Sequence, residues 1–246
     1  MRIISTVPSI TELLSDLGLS DEVVGITKFC VHPEAWFRNK ERIGGTKTLK
    51  VNKILDFKPD LIIANKEENV KEQIEQLQES AEVILTDIRT VEDNIKLIQA
   101  LSTLTDKRMT GLRLVSEFRS ALDSIEPLSP ALRCAYLIWQ KPYMTIGCDT
   151  YIHNVMSNLG LENIFSDRDR YPTISLEDIK EKRPEVILLS SEPFPFGLEH
   201  MDFFRSAFPH CQICLVDGEA FSWYGTRLIK KARYLQSLIQ SIADAV

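Results

Sequence analysis

The chain repeats its own pattern, and that repeat restricts its fold more than any other feature. Leu13-Leu14-Ser15-Asp16-Leu17-Gly18-Leu19 is echoed by Val155-Met156-Ser157-Asn158-Leu159-Gly160-Leu161. Each reads as an amphipathic helix closed by a C-terminal glycine. Pro59-Asp60-Leu61-Ile62-Ile63-Ala64-Asn65-Lys66-Glu67 is echoed by Pro184-Glu185-Val186-Ile187-Leu188-Leu189-Ser190-Ser191-Glu192, and Val83 to Asp87 by Ile213 to Asp217. Short continuous apolar runs of this kind read as strands buried on both faces, as in a parallel sheet. The opening strands correspond as well, Ile3 to Val7 in one half and Arg133 to Trp139 in the other. Each half thus alternates strand and helix, the signature of an α/β lobe with right-handed crossovers.

Between the halves, Val91, Ile95, Ile98 and Leu101 form one helical stripe, and Met109, Leu112, Val115, Phe118, Leu122 and Ile125 form another. The second predicts a helix of about 20 residues, about 30 Å long. The expected fold class is α/β: two Rossmann-like lobes with parallel sheets, joined by a long α-helix, with a ligand cleft between the lobes. The expected division is 1–89 for the N-terminal lobe, 90–126 for the linking helices and 127–246 for the C-terminal lobe. Ser9-Ile10-Thr11-Glu12, Asn69-Val70-Lys71-Glu72 and Ser175-Leu176-Glu177-Asp178 predict capped helix starts, and Thr105-Asp106 a cap between the linking helices.

Composition narrows the function. The 246 residues are 44% hydrophobic and 26% charged, ordinary for a folded chain. A net charge of -6 provides no basic field for a phosphate backbone, so nucleic acid is not an expected partner. No apolar run approaches the ~20 residues that span a bilayer, so no membrane insertion is expected. Met1-Arg2 leads directly into the first strand without a signal-like segment. As written, the chain is expected in the cytoplasm, or in the periplasm or another extracytoplasmic space if a leader has been trimmed. Five cysteines argue against a disulfide framework, and Cys211-Gln212-Ile213-Cys214 lies in a predicted strand, where core packing is its expected role.

Ligands of open α/β sheets sit beyond the carboxyl ends of the strands. From Gly18 to Pro59 there are 41 positions and from Gly160 to Pro184 there are 24, so the first half holds 17 more residues here. That added region carries Cys30, His32, Trp36 and Lys47, and an aromatic, thiol and imidazole loop is a candidate for ligand contact. Glu67 ends the next strand. The second half offers Trp139 and Tyr143 after its first strand, then Glu192, Phe194 and Phe196, then Phe221, Trp223, Tyr224 and Arg227. Aromatic faces suit a flat or macrocyclic ligand. Cys30 and His32, with Glu67 or Glu68 nearby, fall short of a closed metal site, which needs three or four donors. One axial donor to a metal already held by a chelate remains open. No Gly-x-Ser-x-Gly elbow, phosphate loop or glycine fingerprint is present. A carboxylate pair, Glu67 and Glu192, is the catalytic alternative, with Asp217 or Cys30 as further candidates.

Pro8-Ser9-Ile10-Thr11-Glu12 with Leu17-Gly18, Val24-Gly25 and Ile54-Leu55-Asp56-Phe57-Lys58-Pro59-Asp60-Leu61-Ile62 resemble the substrate-binding proteins of ABC importers for cobalamin, ferric siderophores and haem. The resemblance extends over the second half through Leu159-Gly160, Asn163-Ile164 and Pro184-Glu185-Val186-Ile187. It implies binding without catalysis and one small-molecule metal chelate held between the lobes. The ligand would carry its own metal, cobalt or iron, with no intrinsic cofactor. It also implies an ABC permease as partner, docked by one acid on each lobe: Glu72 and Glu199, with Glu68 and Glu192 as alternates. A monomer is expected. A leaderless cytoplasmic binding or sensor protein on the same scaffold is the first alternative function, and a small-molecule enzyme using Glu67 and Glu192 the second.

Overall fold

The paired apolar runs become paired strands. The computed structural model describes residues 1–245. Its first half holds β1 (Ile3–Ser5), α1 (Pro8–Asp16), β2 (Val23–Ile26), α2 (Glu34–Asn39), β3 (Glu41–Arg42), β4 (Gly44–Gly45), β5 (Thr48–Leu49), α3 (Val51–Asp56), β6 (Leu61–Asn65), α4 (Lys71–Gln78) and β7 (Val83–Thr86). Helices α5 (Val91–Leu104) and α6 (Arg108–Asp123) follow. The second half holds β8 (Leu132–Leu137), β9 (Tyr143–Met144), α7 (Tyr151–Asn158), β10 (Leu161–Asn163), β11 (Thr173–Ile174), α8 (Leu176–Lys182), β12 (Val186–Ser190), α9 (Leu198–Ala207), β13 (Gln212–Val216), α10 (Glu219–Ser222) and α11 (Arg227–Ala243).

The two main sheets repeat one topology. The first runs β3-β2-β1-β6-β7 and the second β10-β8-β12-β13, with every pair parallel. Without the edge strand β3, the two orders correspond strand for strand. β6 and β12 are buried at every residue, which is why both read as unbroken apolar runs and not as alternating ones. The repeated glycines close α1 and α7 with positive φ, 80° at Gly18 and 73° at Gly160, a region that side chains with a Cβ disfavour. The extra residues of the first half form α2, β3 and the β4–β5 hairpin.

Two compact units result. One comprises Met1–Ile88, Asn94–Glu117 and Tyr224–Arg227; the other comprises Arg89–Asp93, Phe118–Trp223 and the chain from Leu228 onward. The first core gathers Ile4, Ile43, Ile54, Ile62 and Ile74. The second gathers Ala135, Leu137, Phe165, Ile187, Leu189 and Phe204.

Several local expectations are corrected. α6 has 16 residues and not about 20, because it ends at Asp123, before the last stripe residue Ile125. Met109 and Leu112, read as part of that stripe, are 78% and 58% exposed. The Ser9–Glu12 capping box does not form: α1 starts at Pro8, Val7 caps it without a side-chain bond, and Glu12 turns inward. Asn69 does not cap α4 either, since its amide serves the preceding loop. The Ser175–Asp178 box is present, with Asp178 N donating to Ser175 Oγ at 3.0 Å and Ser175 N to Asp178 Oδ2 at 2.7 Å.

Candidate functional site

In each sheet the strand order reverses beside the first strand, between β1 and β6 and between β8 and β12. Loops at the carboxyl ends of such strands are where open α/β sheets take ligands. Both halves build these loops by the same device. In the first unit, Asn65 at the end of β6 accepts through Oδ1 from Glu67 N at 2.8 Å and Glu68 N at 3.1 Å. In the second, Ser190 at the end of β12 accepts from Glu192 N at 3.4 Å and donates to Glu192 O at 2.7 Å. The repeat-paired acids Glu67 and Glu192 therefore stand on equivalent turns, each folded back onto the last strand residue.

The first-unit loop is anchored by buried amides. Asn69 Oδ1 accepts from Thr6 Oγ1 at 2.8 Å and Asn65 N at 2.9 Å, while its Nδ2 donates to Thr46 O at 3.0 Å. The Lys47 ammonium donates to the carbonyl of Glu67. Lys47 is exposed, and Glu67 and His32 are half-buried, so these three face outward. Cys30 and Trp36 do not. Cys30 is 0% exposed, and its sulfur bonds the hydroxyls of Thr11 at 3.0 Å and Thr27 at 3.1 Å. Burial pushes its thiol upward, which disfavours the reactive thiolate. Trp36 is 6% exposed in α2, beneath the Lys40 ammonium.

The second unit carries an aromatic platform. Trp139 is 39% exposed and stands edge-on to Phe194, with ring centroids 5.7 Å apart. Phe194 packs against Phe196 at 4.8 Å. Tyr143 sits beside it, edge-on to Phe204 at 5.6 Å. Phe196 is 6% exposed and belongs to the base of the platform and not to its face. Next to it, Glu192 Oε1 accepts from Ser222 Oγ at 2.8 Å and Trp223 Nε1 at 3.0 Å. Desolvation raises the Glu192 carboxyl above the ordinary glutamate value, its two donors lower it, and the neighbouring Glu219 and Asp217 charges raise it further. Gly218 makes this packing possible: a Cβ there would lie 2.4 Å from Glu192 Cγ and 2.5 Å from Ser190 Oγ.

The stretch after β13 is the most buried of the segments expected to carry ligand contacts. Phe221 is fully buried, its ring 5.2 Å from Tyr136. Tyr224 is 7% exposed and belongs to the first unit, where burial pushes its hydroxyl above the ordinary tyrosine value. Arg227 is 5% exposed, with its Nε 2.9 Å from Glu12 Oε2. Asn94 pairs with both backbone polar atoms of Gly225, at 3.0 and 2.6 Å. Phe221, Tyr224 and Arg227 are thus buried around the loop. Trp223, 9% exposed, is held by Glu192. Glu72 and Glu199 are the second residues of α4 and α9, both exposed, at matching places in the repeat. Asp217 pairs with Lys231 at 2.7 Å.

Asn65, Asn69, Ser190, Gln140 and His200 shape these loops without belonging to any recognised motif. The repeat does pair Asn65 with Ser190, so aligning the halves alone marks the two strand ends. Among the described residues, no group of three or more His, Cys, Asp or Glu is placed to hold a metal ion. No helix among them is long and apolar enough to cross a membrane.

Comparisons with known proteins agree over most of the chain. A family model described as "Periplasmic binding protein" matches residues 3–206. A vitamin B12-binding protein of Vibrio cholerae is 29% identical over 201 residues, 80% of this chain and 72% of that protein. The solved periplasmic vitamin B12-binding protein of Vibrio cholerae superposes with a TM-score of 0.80 at 23% identity, covering 98% of this chain and 97% of the other. A periplasmic haem-binding protein of a Roseiflexus species gives a TM-score of 0.81 at 20% identity, covering 99% and 98%.

Proposed function

Since the chain belongs to the periplasmic binding protein family, we propose that it is a non-catalytic carrier for a metal chelate, a corrinoid, haem or a ferric siderophore, which it presents to an ABC importer. The observation that carries this reading is the exposed Trp139 on its bed of Phe194 and Phe196 at the carboxyl end of β8. A flat aromatic face at a switch-point loop suits a macrocycle or a chelate with apolar edges, and each such ring can bury ~150–250 Å². Tyr143 and Phe194 extend this surface in the second unit; His32, Lys47 and Glu67 are the outward groups of the first.

The relatives named above are binding proteins, for vitamin B12 and for haem, and both ligands bring their own metal. That agrees with a cargo metal held by its chelate, so no protein metal cage is required. Glu72 and Glu199, exposed at the positive ends of equivalent helices, are the groups we assign to the importer. The periplasmic location named for the two solved relatives is the compartment in which such a carrier would meet its importer.

Titrating the full chain with cyanocobalamin, haemin and a ferric hydroxamate, read by tryptophan fluorescence, tests the reading. Saturable quenching that is lost on Trp139→Phe is expected with at least one of them. Absence of binding tighter than about millimolar, ~4 kcal/mol, across all three overturns it.

A further inference from the structure

His200 lies in the first turn of α9 with both ring nitrogens engaged. Nδ1 accepts from Gly197 N at 3.0 Å, which makes Nε2 the protonated nitrogen of the neutral ring. Nε2 then donates to Gln140 Oε1 at 3.0 Å, with Glu199 Oε1 3.8 Å away. The ring stands edge-on to Phe194 and Phe196, at 5.3 Å from each centroid. Its side chain is 14% exposed. Gln140 directly follows Trp139, and Phe194 is the ring on which Trp139 rests. One imidazole thus ties together the loop after β8, the loop after β12 and the start of α9.

We propose that His200 is a positioning residue: through Gln140 and Phe194 it fixes the orientation of the Trp139 indole, without itself touching the ligand. With two hydrogen bonds and two aromatic edges satisfied, the ring has no donor or acceptor left for a chelate or its metal. An indole held only at its edge rotates about χ1 and χ2 and must be ordered when a ligand binds; an indole locked in advance spares that ordering. The consequence for affinity rests on the reading of Trp139 as a ligand contact, whereas the orientation of the indole is tested independently of it.

The test uses the full chain labelled with 5-fluorotryptophan, whose three indoles give three fluorine resonances assigned through W36F, W139F and W223F. H200A and Q140A are expected to shift and broaden the Trp139 line while the Trp36 and Trp223 lines and the melting temperature hold. H200Q, whose amide can accept from Gly197 N–H and donate to Gln140, is expected to restore the line. Haemin and cyanocobalamin titrations of H200A are expected to show about a tenfold loss of affinity for whichever binds. An unmoved Trp139 line in both H200A and Q140A overturns the proposal, as does a joint shift of all three lines with a lowered melting temperature. If haemin, cyanocobalamin and the ferric hydroxamate all fail to bind the unaltered chain, the carrier reading loses its support while the fluorine spectra still decide the role of His200.

Discussion

The indole of Trp223 donates to Glu192 Oε1 at 3.0 Å, and Ser222 Oγ donates to the same oxygen at 2.8 Å. A carboxylate that looks like a ligand or catalytic group in the sequence is therefore occupied in fixing the segment after α10. Its charge is a burden, because burial and the nearby Glu219 and Asp217 charges oppose ionisation.

Glu192 thus gives stability a definite pH dependence. With its value raised in the folded chain, the folded state keeps the proton to a higher pH than the unfolded state does. Its contribution is most favourable below the ordinary glutamate range and is lost as pH rises through the raised value. Glu192→Gln keeps an oxygen for Trp223 and Ser222 and removes the charge, so its urea midpoint should fall less with rising pH. Unfolding curves from about pH 4 to about pH 8 check this, and parallel profiles for the two proteins refute it.

Removing the indole of Trp139 should affect binding more than folding. With 39% of the residue exposed, Trp139→Ala is expected to lower stability by no more than about 1 kcal/mol while weakening chelate binding by about tenfold or more. Paired chemical denaturation and calorimetric titration separate the two effects.

The Glu12–Arg227 pair is nearly sealed, with side chains 3% and 6% exposed. Truncating one partner strands the other in a low dielectric, so Arg227→Met should destabilise the chain by about 3–5 kcal/mol. The double replacement Glu12→Leu with Arg227→Met should recover much of that loss, because both desolvation penalties are removed together. Equal losses in the single and double variants would contradict this account.

Thiol reactivity should follow exposure. Cys148 is exposed, whereas Cys30 and Cys134 are buried with their thiols raised chiefly by desolvation. A thiol reagent on the native chain should label Cys148 first and leave Cys30 and Cys134 unmodified until the chain unfolds. Peptide mapping after brief labelling reads this directly.

Glu72 and Glu199 should be separable from both folding and ligand binding. Alanine at both positions is expected to change stability by no more than about 0.5 kcal/mol and to leave chelate affinity intact, while abolishing delivery to the importer in an uptake assay. Undiminished uptake by the double variant would remove the assignment.

Much of the fold is legible in the sequence because its signals are local and repeated. The runs at Leu61 to Asn65 and Val186 to Ser190 are apolar throughout since both faces of a parallel strand are covered. Gly18 and Gly160 mark helix ends through a backbone angle that few other residues adopt. The caps were less legible. Ser9 and Asn69 have the right chemistry at a helix start, yet Pro8 advances the start of α1 and the loop network claims Asn69.

The candidate site divides along the same line. Sequence alone determines that Glu67 and Glu192 are counterparts, that aromatics crowd the loops of the second half, and that the two halves share one succession of strands and helices. Only tertiary structure decides which aromatic faces outward. Trp139 is left exposed because Phe194 and Phe196 fill the space beneath it. Arg227 and Gly225 are withdrawn because Glu12 and Asn94, far away in the chain, meet them. Local pattern fixes backbone conformation through short-range sterics and periodic burial. The exposure of a side chain depends instead on partners that are distant in sequence, and those are set only when the chain has folded.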